Sequence, residues 1–92
     1  MSFLRISDQA KVDLLEIWCY IAENNLQAAD RTIDTLTDAF VFLLSMPGSG
    51  RTRDDLRLGI RSHPVRPYMI FYRPSEGSVD ILRVLLGGPA SG

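Results

Sequence analysis

The sequence predicts an α+β fold: an N-terminal strand, an αα-hairpin, then a three-stranded antiparallel meander with the helices packed on one sheet face. Two observations predict it. Apolar residues recur at helical spacing in the first half of the chain, and short alternating runs separated by turn residues fill the second half. Ninety-two residues are enough for one domain only, so residues 1–92 are predicted to form a single domain.

The first strand is predicted at Phe3–Ile6, and Ser7 or Asp8 follows as a suitable N-cap for the first helix. One side of that helix is predicted to be apolar and to carry Ala10, Leu14, Ile17 and Ile21. Trp18 and Cys19 are predicted to widen this apolar side. The opposite, polar side is predicted to carry Lys11, Asp13, Glu16 and Glu23.

The second helix is predicted between Asn24-Asn25, which interrupt the pattern of the first, and Pro47-Gly48, which end it. Its apolar side carries Ala29, Ile33, Leu36, Phe40 and Leu43. Two amphipathic helices joined by a short connection form an antiparallel hairpin, and their apolar sides need a common surface to cover.

The second half of the chain is predicted to supply that surface. A loop is expected at Gly48–Leu58, and strands are expected at Gly59–His63, Tyr68–Arg73 and Ser78–Leu86. The connections between these strands have the length of hairpin turns, which predicts a meander. Residues Gly87–Gly92 are expected to form a flexible tail.

Both faces of the predicted sheet carry apolar side chains. Alternation places Tyr68, Ile70 and Tyr72 on one face and Met69, Phe71 and Arg73 on the other. In the last strand it places Val84 on the face opposite Val79 and Ile81. Because the helices can cover one face only, the second face, which is partly apolar and bears arginine, predicts a covering partner.

The charges are divided between the two halves of the chain. The net charge is −1, but residues 1–46 carry three basic and seven acidic side chains, whereas residues 47–92 carry seven arginines and four acidic side chains. Arginine suits bidentate pairing with a carboxylate or a phosphate better than lysine does. The basic half is therefore the half in which a binding surface is expected.

No cofactor and no metal site are predicted, because one histidine and one distant cysteine cannot bind zinc and no phosphate-binding loop is present. A single cysteine, Cys19, favours a reducing cytoplasm. No apolar run approaches the roughly 20 residues of a membrane span, so a cytoplasmic protein is expected. A catalytic triad of Ser62, His63 and Asp80 is only weakly indicated, since neighbouring strand residues point to opposite faces and Ser62 would not reach His63.

Five side chains are candidates for binding a partner: Arg61, His63, Tyr68, Arg73 and Arg83. The three arginines could hold phosphates or a partner's carboxylates if they shared a face; alternatively, each reaches the rim or pairs with an acid such as Asp80. His63 suits acid–base chemistry near neutral pH, or is a structural residue at a strand end. Tyr68 and Tyr72 suit stacking on nucleic-acid bases, or the core.

Six short motifs follow one another along nearly the whole chain. They are A-x-x-D-L-x-x-I-W-x-Y-I at Ala10–Ile21, A-A-D-R-x-I-D at Ala28–Asp34, M-P-G-S-G-R at Met46–Arg51, I-R-S-H-P-V at Ile60–Val65, Y-M-I-F-Y-R at Tyr68–Arg73 and I-L-R-V-L-L-G at Ile81–Gly87. In this order and with this spacing, the chain resembles the ParE branch of the ParE/RelE toxin superfamily.

The resemblance implies a toxin of a type II toxin–antitoxin system, of the kind linked to plasmid stabilisation. Such a toxin is neutralised in a hetero-oligomer by a cognate antitoxin and inhibits DNA gyrase by protein–protein binding, without being an enzyme. Nucleic acid would be contacted only through the antitoxin complex.

Two alternatives stay open. RelE-like relatives are ribosome-dependent mRNA endoribonucleases (mRNA interferases) that typically use lysines and a Tyr or His after the last strand. Here the only lysine is Lys11, and Gly87–Gly92 has neither Tyr nor His. Many ParE-like chains also carry His and a basic tail after R-V-L, where this chain has Leu86 and Gly87-Gly88-Pro89. An inactive toxin homologue is therefore the other alternative.

Overall fold

A computed structural model describes residues 3–87. The elements are, in chain order, β1 (Phe3–Ile6), α1 (Asp8–Ala22), α2 (Leu26–Ser45), β2 (Arg51–Thr52), β3 (Arg61–Val65), β4 (Tyr68–Ser75) and β5 (Ser78–Leu86). The strands form one sheet in the order β1-β5-β4-β3-β2, in which β1 runs parallel to β5 and all other neighbours are antiparallel. The predicted α+β fold is confirmed, within a mixed five-stranded sheet.

Both helices begin at capping residues. The Ser7 Oγ accepts a hydrogen bond of 3.0 Å from the Ala10 N–H, and the Asn25 Oδ1 accepts one of 3.0 Å from the Ala28 N–H. Each side chain satisfies a backbone donor that has no partner within its helix. The second helix ends at Ser45, two residues before Pro47, whose ring is incompatible with a continuing helix.

The core lies between the helical hairpin and one face of the sheet, which we call the helix face; the opposite face is the outer face. The buried residues of the core are Ala10, Leu36, Phe40, Leu43, Ile70, Tyr72, Val79, Ile81 and Val84. The predicted apolar sides of both helices pack here, with Leu14, Ile17 and Ile33 as partly buried neighbours. Tyr72 belongs to this core and is not available to stack on a base.

The prediction that Trp18 and Cys19 widen the apolar side of α1 is wrong for Cys19, whereas Trp18 is half-buried. The Trp18 side chain turns toward α2, where its Nε1–H donates a 2.8 Å hydrogen bond to the Asp30 carboxylate. Cys19 is exposed. At about 100° per residue, Cys19 lies on the side of α1 opposite Ala10, whereas Trp18 lies beside Leu14 on the flank toward α2.

The prediction that Val84 lies opposite Val79 and Ile81 is also wrong, because β5 contains a β-bulge. Phe71 pairs with Arg83 and Tyr72 pairs with Ile81, so Leu82 is an extra residue without its own partner. The extra residue resets the alternation. Val84 therefore returns to the helix face and is buried there.

The segment predicted as a loop, Gly48–Leu58, contains the two-residue strand β2, which pairs with the first two residues of β3. The strand predicted at Gly59–His63 begins two residues later than expected and continues through Pro64 to Val65. Pro64 is tolerated because β2 does not extend alongside it, so its missing N–H faces an open edge. Apart from Gly87, the predicted tail lies outside the described residues.

Tyr72 joins this segment to the core. Its buried hydroxyl accepts a hydrogen bond of 3.0 Å from the Gly50 N–H and donates one of 2.8 Å to the Pro47 carbonyl. A Cβ added at Gly50 would contact the Tyr72 hydroxyl and lie 2.7 Å from the Ser62 carbonyl oxygen. Only glycine lets the backbone approach the tyrosine this closely.

Replacing Tyr72 by Phe should lower the free energy of unfolding by about 1–3 kcal/mol, because the buried Gly50 N–H loses its acceptor. Urea denaturation followed by the fluorescence of Trp18 measures the change. Tyr20→Phe is the matched control, since Tyr20 is 76% exposed and its loss of a hydroxyl should change stability by less than about 0.5 kcal/mol. Equal midpoints for the two variants would contradict the anchoring role of Tyr72.

Candidate partner-binding site

The three predicted arginines do not converge. Arg61 pairs with Tyr72 across the sheet and therefore lies on the helix face, because directly opposed residues share a face. Arg73 pairs with Asp80 on the outer face. The guanidinium group of Arg83 reaches the helix α1 at the edge of β5. Each arginine thus has different surroundings.

Arg61 holds the segment before β2. Its Nη1 donates hydrogen bonds of 2.8 Å to the Gly50 carbonyl and 3.3 Å to the Gly48 carbonyl. Gly48 and Gly50 belong to the same short segment whose backbone the Tyr72 hydroxyl contacts at Pro47 and Gly50. The position of Arg61 is therefore explained by the local backbone.

Arg83 forms an ion pair with Asp13 of α1, which the sequence analysis placed on the polar side of the helix. The Arg83 Nε lies 2.8 Å from the Asp13 Oδ2, and the Nη2 lies 3.0 Å from the Oδ1. Asp13 is only 4% exposed. Sequence reasoning considered Asp80 as a partner for the arginines, but the structure pairs Arg83 with Asp13.

Asp13 also completes the edge of β5 where β1 has ended. The last residue of β1 pairs with Ile81, so among residues 3–87 the following part of β5 has no neighbouring strand on that side. The Asp13 Oδ2 accepts a 2.9 Å hydrogen bond from the Val84 N–H, and the Ser7 Oγ donates a 2.8 Å hydrogen bond to the Leu82 carbonyl. The side chains of Asp13 and Ser7 thus take the place of the backbone groups that a neighbouring strand would supply.

The surroundings of Asp13 favour its ionised form. Burial acts to raise the pKa of Asp13, but the hydrogen bonds from Arg83 and Val84 outweigh it and hold the pKa below its usual value. The same contact with Asp13 raises the pKa of Arg83. Both groups therefore stay charged across the physiological pH range.

His63 lies on the helix face opposite Ile70, and its ring centre is 5.7 Å from that of Phe42 on α2. Ser62, its neighbour, lies on the outer face, where it pairs with Phe71. The two residues point to opposite sides of the sheet, so they cannot cooperate in catalysis, as the strand alternation predicts.

Tyr68 lies half-buried on the helix face, opposite Val65 and Leu86. Burial raises the pKa of its hydroxyl, and nearby Tyr20 adds to the effect. Tyr20 and Leu86 are exposed by 76% and 70%. Tyr68 thus borders an apolar patch between α1 and the end of β5.

On the outer face, Asp80 lies between two arginines. It pairs with Arg5 on β1 and with Arg73 on β4, so all three side chains are cross-strand neighbours on one face. The Asp80 Oδ1 is buried and has no hydrogen-bond partner among the described residues.

The outer face also contains a cleft of about 630 Å³, which we call the outer-face cleft. Its lining residues are Ser49, Gly50, Arg51, Thr52, Arg53, Asp55, Ser62, Pro64 and Met69. Sequence reasoning missed it, because Arg51 and Arg53 lie in the segment Gly48–Leu58, which is predicted to be a loop. The available signal was the alternation R-T-R at 51–53, which is compatible with a short strand.

Arg53 covers one side of this cleft. Its guanidinium carbon lies 5.5 Å from the centre of the Phe71 ring. The Asp55 carboxylate binds the Nε and Nη2 of the same group at 3.1 Å each. Arg53 is therefore held over the Phe71 ring, which it partly shields.

Within residues 3–87, no group of three or more His, Cys, Asp or Glu side chains is placed to hold a metal ion. In the same part of the chain, neither helix combines the length and the apolar character that crossing a membrane requires.

Comparison with known proteins gives consistent matches. Residues 4–88 match the model of a family described as ParE toxin of type II toxin-antitoxin system, parDE. The chain is similar to Toxin ParE3 of Caulobacter vibrioides, with 36% identity over 76 residues covering 82% of this chain and 76% of the relative. It is also similar to Toxin ParE1 of the same organism, with 35% identity over 83 residues covering 88% and 84%.

The fold is similar to a solved structure described as the chromosomal ParDE TA system from P. aeruginosa. The TM-score is 0.79 and the sequence identity is 21%, over 96% of this chain and 98% of the other. At this identity the likeness concerns the fold.

Replacing Asp13 by Asn should lower the free energy of unfolding by about 2 kcal/mol near neutral pH, because hydrogen bonds to a charged group are lost. The pKa of Asp13 is lower in the folded than in the unfolded chain, so its contribution is complete above the unfolded pKa of about 4 and declines as pH falls below it. Urea denaturation between about pH 3 and 7 measures the effect.

Asp38→Asn serves as the control for that experiment, since Asp38 is exposed on α2 and its substitution should leave stability within about 0.5 kcal/mol. A stability loss for Asp13→Asn that is equally large at both ends of the pH range would contradict a role for the carboxylate charge.

Proposed function

Because this chain belongs to the ParE toxin family of type II toxin–antitoxin systems, we propose that it inhibits DNA gyrase by protein–protein binding in the cytoplasm and is neutralised by a cognate antitoxin. The family match over residues 4–88 is the observation that carries the proposal. The geometry of the chain supports binding over catalysis in three respects.

First, two of the three candidate arginines already have partners within the fold. Arg61 binds the carbonyls of Gly48 and Gly50, and Arg83 binds Asp13. An RNA-cleaving site needs cations aimed at the phosphate and at the charge that develops on it in the transition state. Neither arginine offers its full set of donors for that purpose.

Second, the groups suited to proton transfer are separated. His63 faces Phe42 on the helix face, whereas the outer-face cleft lies on the other side of the sheet. The only lysine, Lys11, is on α1. A general acid or base must lie within hydrogen-bond reach of the reacting group, so these residues do not supply the parts of one nuclease site.

Third, exposed apolar side chains are present on both layers of the molecule. The most exposed are Leu58, Tyr20, Leu86, Leu26, Leu15, Val41 and Phe3. Large apolar side chains that stay outside the core are available for contact with a partner protein. A toxin that binds both an antitoxin and a target needs such surfaces, and the complex with the antitoxin is then a hetero-oligomer.

Expression of the chain alone should arrest bacterial growth, and the purified chain should inhibit DNA supercoiling by gyrase. Co-expression of the antitoxin from the neighbouring reading frame is the control and should restore growth. A chain that is harmless when induced and leaves supercoiling unchanged would identify an inactive homologue and contradict the proposal.

The same induced cells distinguish the nuclease alternative. Primer extension on translated mRNA detects cleavage at codons in the ribosomal A site. Such cleavage, together with unaffected gyrase, would replace gyrase inhibition by ribosome-dependent RNA cleavage as the function.

A further inference from the structure

The charges of the molecule are separated by layer. The two helices carry six acidic and two basic side chains. The outer face, by contrast, carries Arg5, Arg51, Arg53 and Arg73, with Asp80 and Asp55 among them. An approaching acidic group is therefore attracted to the outer face and repelled by the helices.

Within the outer-face cleft, several donors are unused by the described residues. Arg51 and Ser62 are cross-strand neighbours that both line the cleft, and neither side chain makes a hydrogen bond within residues 3–87. Ser62 is only 3% exposed. The one acid that lines the cleft, Asp55, is already bound by Arg53 at two positions. The cleft thus offers donors and positive charge for an anion.

The same cleft has an apolar part. Pro64 and Met69 line it, and they are cross-strand neighbours on β3 and β4. A volume of about 630 Å³ is within the usual range of binding pockets and holds more than one side chain. The lining therefore suits a ligand that combines a carboxylate with an adjacent apolar group.

We propose that the outer-face cleft binds an acidic segment of the antitoxin, with a carboxylate paired to Arg51 near Ser62 and an apolar side chain packed on Met69 and Pro64. The proposal rests on the proposed function, because it takes the antitoxin as the partner. Arginine binds a carboxylate through two parallel hydrogen bonds, which fixes the orientation of the segment.

The surroundings favour a polypeptide over a nucleic acid as the occupant. A nucleic acid presents a continuous line of phosphates, and binding it requires an extended basic surface. Here Asp55 neutralises Arg53, Asp80 lies between Arg5 and Arg73, and the helices are acidic. One accessible arginine beside an apolar floor matches a single carboxylate better.

The test compares the affinity of the purified antitoxin for the full-length wild-type chain and for the variant Arg51→Glu, by calorimetry at about 0.15 M salt. The charge reversal should raise the dissociation constant about tenfold or more, because repulsion replaces an ion pair. Arg31→Glu is the matched control: it makes the same change of charge on exposed α2 and should stay within about twofold of wild type.

Equal affinities of Arg51→Glu and wild type would overturn the proposal. Thermal melting verifies that the Arg51→Glu variant is folded. If the variant is unfolded, the test instead follows the amide NMR signals of Gly50 and Ser62 in the wild-type chain. These signals should shift when antitoxin is added. Unshifted signals would also overturn the proposal, as would displacement of the antitoxin from wild type by a ten-nucleotide oligothymidylate.

The outcome of this binding test can be distinguished from the outcome of the test of the proposed function. Wild type that inhibits gyrase and binds antitoxin with an affinity that Arg51→Glu leaves unchanged would disprove the cleft assignment alone. Wild type that neither inhibits gyrase nor binds the antitoxin would disprove the function itself.

Discussion

The contact on which the rest of this structure depends is the carboxylate of Asp13 against the edge of β5. The carboxylate accepts a hydrogen bond from the Val84 N–H at the part of β5 that β1 does not reach, and it forms an ion pair with Arg83. One side chain thus joins the helical layer to the sheet. The strand β1 stops at Ile6 because the chain must leave the sheet to form α1. Asp13 and Ser7 supply the hydrogen-bond partners that a longer β1 would have provided.

This use of side chains inside the fold determines what the surface can do. Arg61 and Arg83 support the backbone around them, and the outer face adds Arg5, Arg51 and Arg73 as further cations that could meet a partner. The outer face combines arginine with apolar groups and lacks a histidine or a lysine among its described residues. Such a composition favours recognition of another protein, in which fixed charges set orientation and apolar contacts supply affinity.

The sequence predicts the helices, their caps and the three long strands because each depends on local periodicity. It does not predict the extra residue Leu82, since alternation continues unbroken in the sequence and only pairing with Phe71 reveals the shift. Asp13 was assigned to the polar side for a related reason: a buried carboxylate looks like an exposed one until its distant partner, Arg83, is known. The outer-face cleft was missed because a two-residue strand has no period to detect.

The parallel pairing of β1 with β5 has a consequence for synthesis of the chain. Within residues 3–87, strand β1 has its only neighbouring strand in β5, and the Asp13 carboxylate of α1 also binds β5. The helical hairpin can form from local contacts while the chain is still growing, but the sheet cannot be completed until residues of β5 have been made. A copy that terminates before Ser78 therefore loses the partner of β1 and of Asp13 together, so the fold requires a chain that extends through β5.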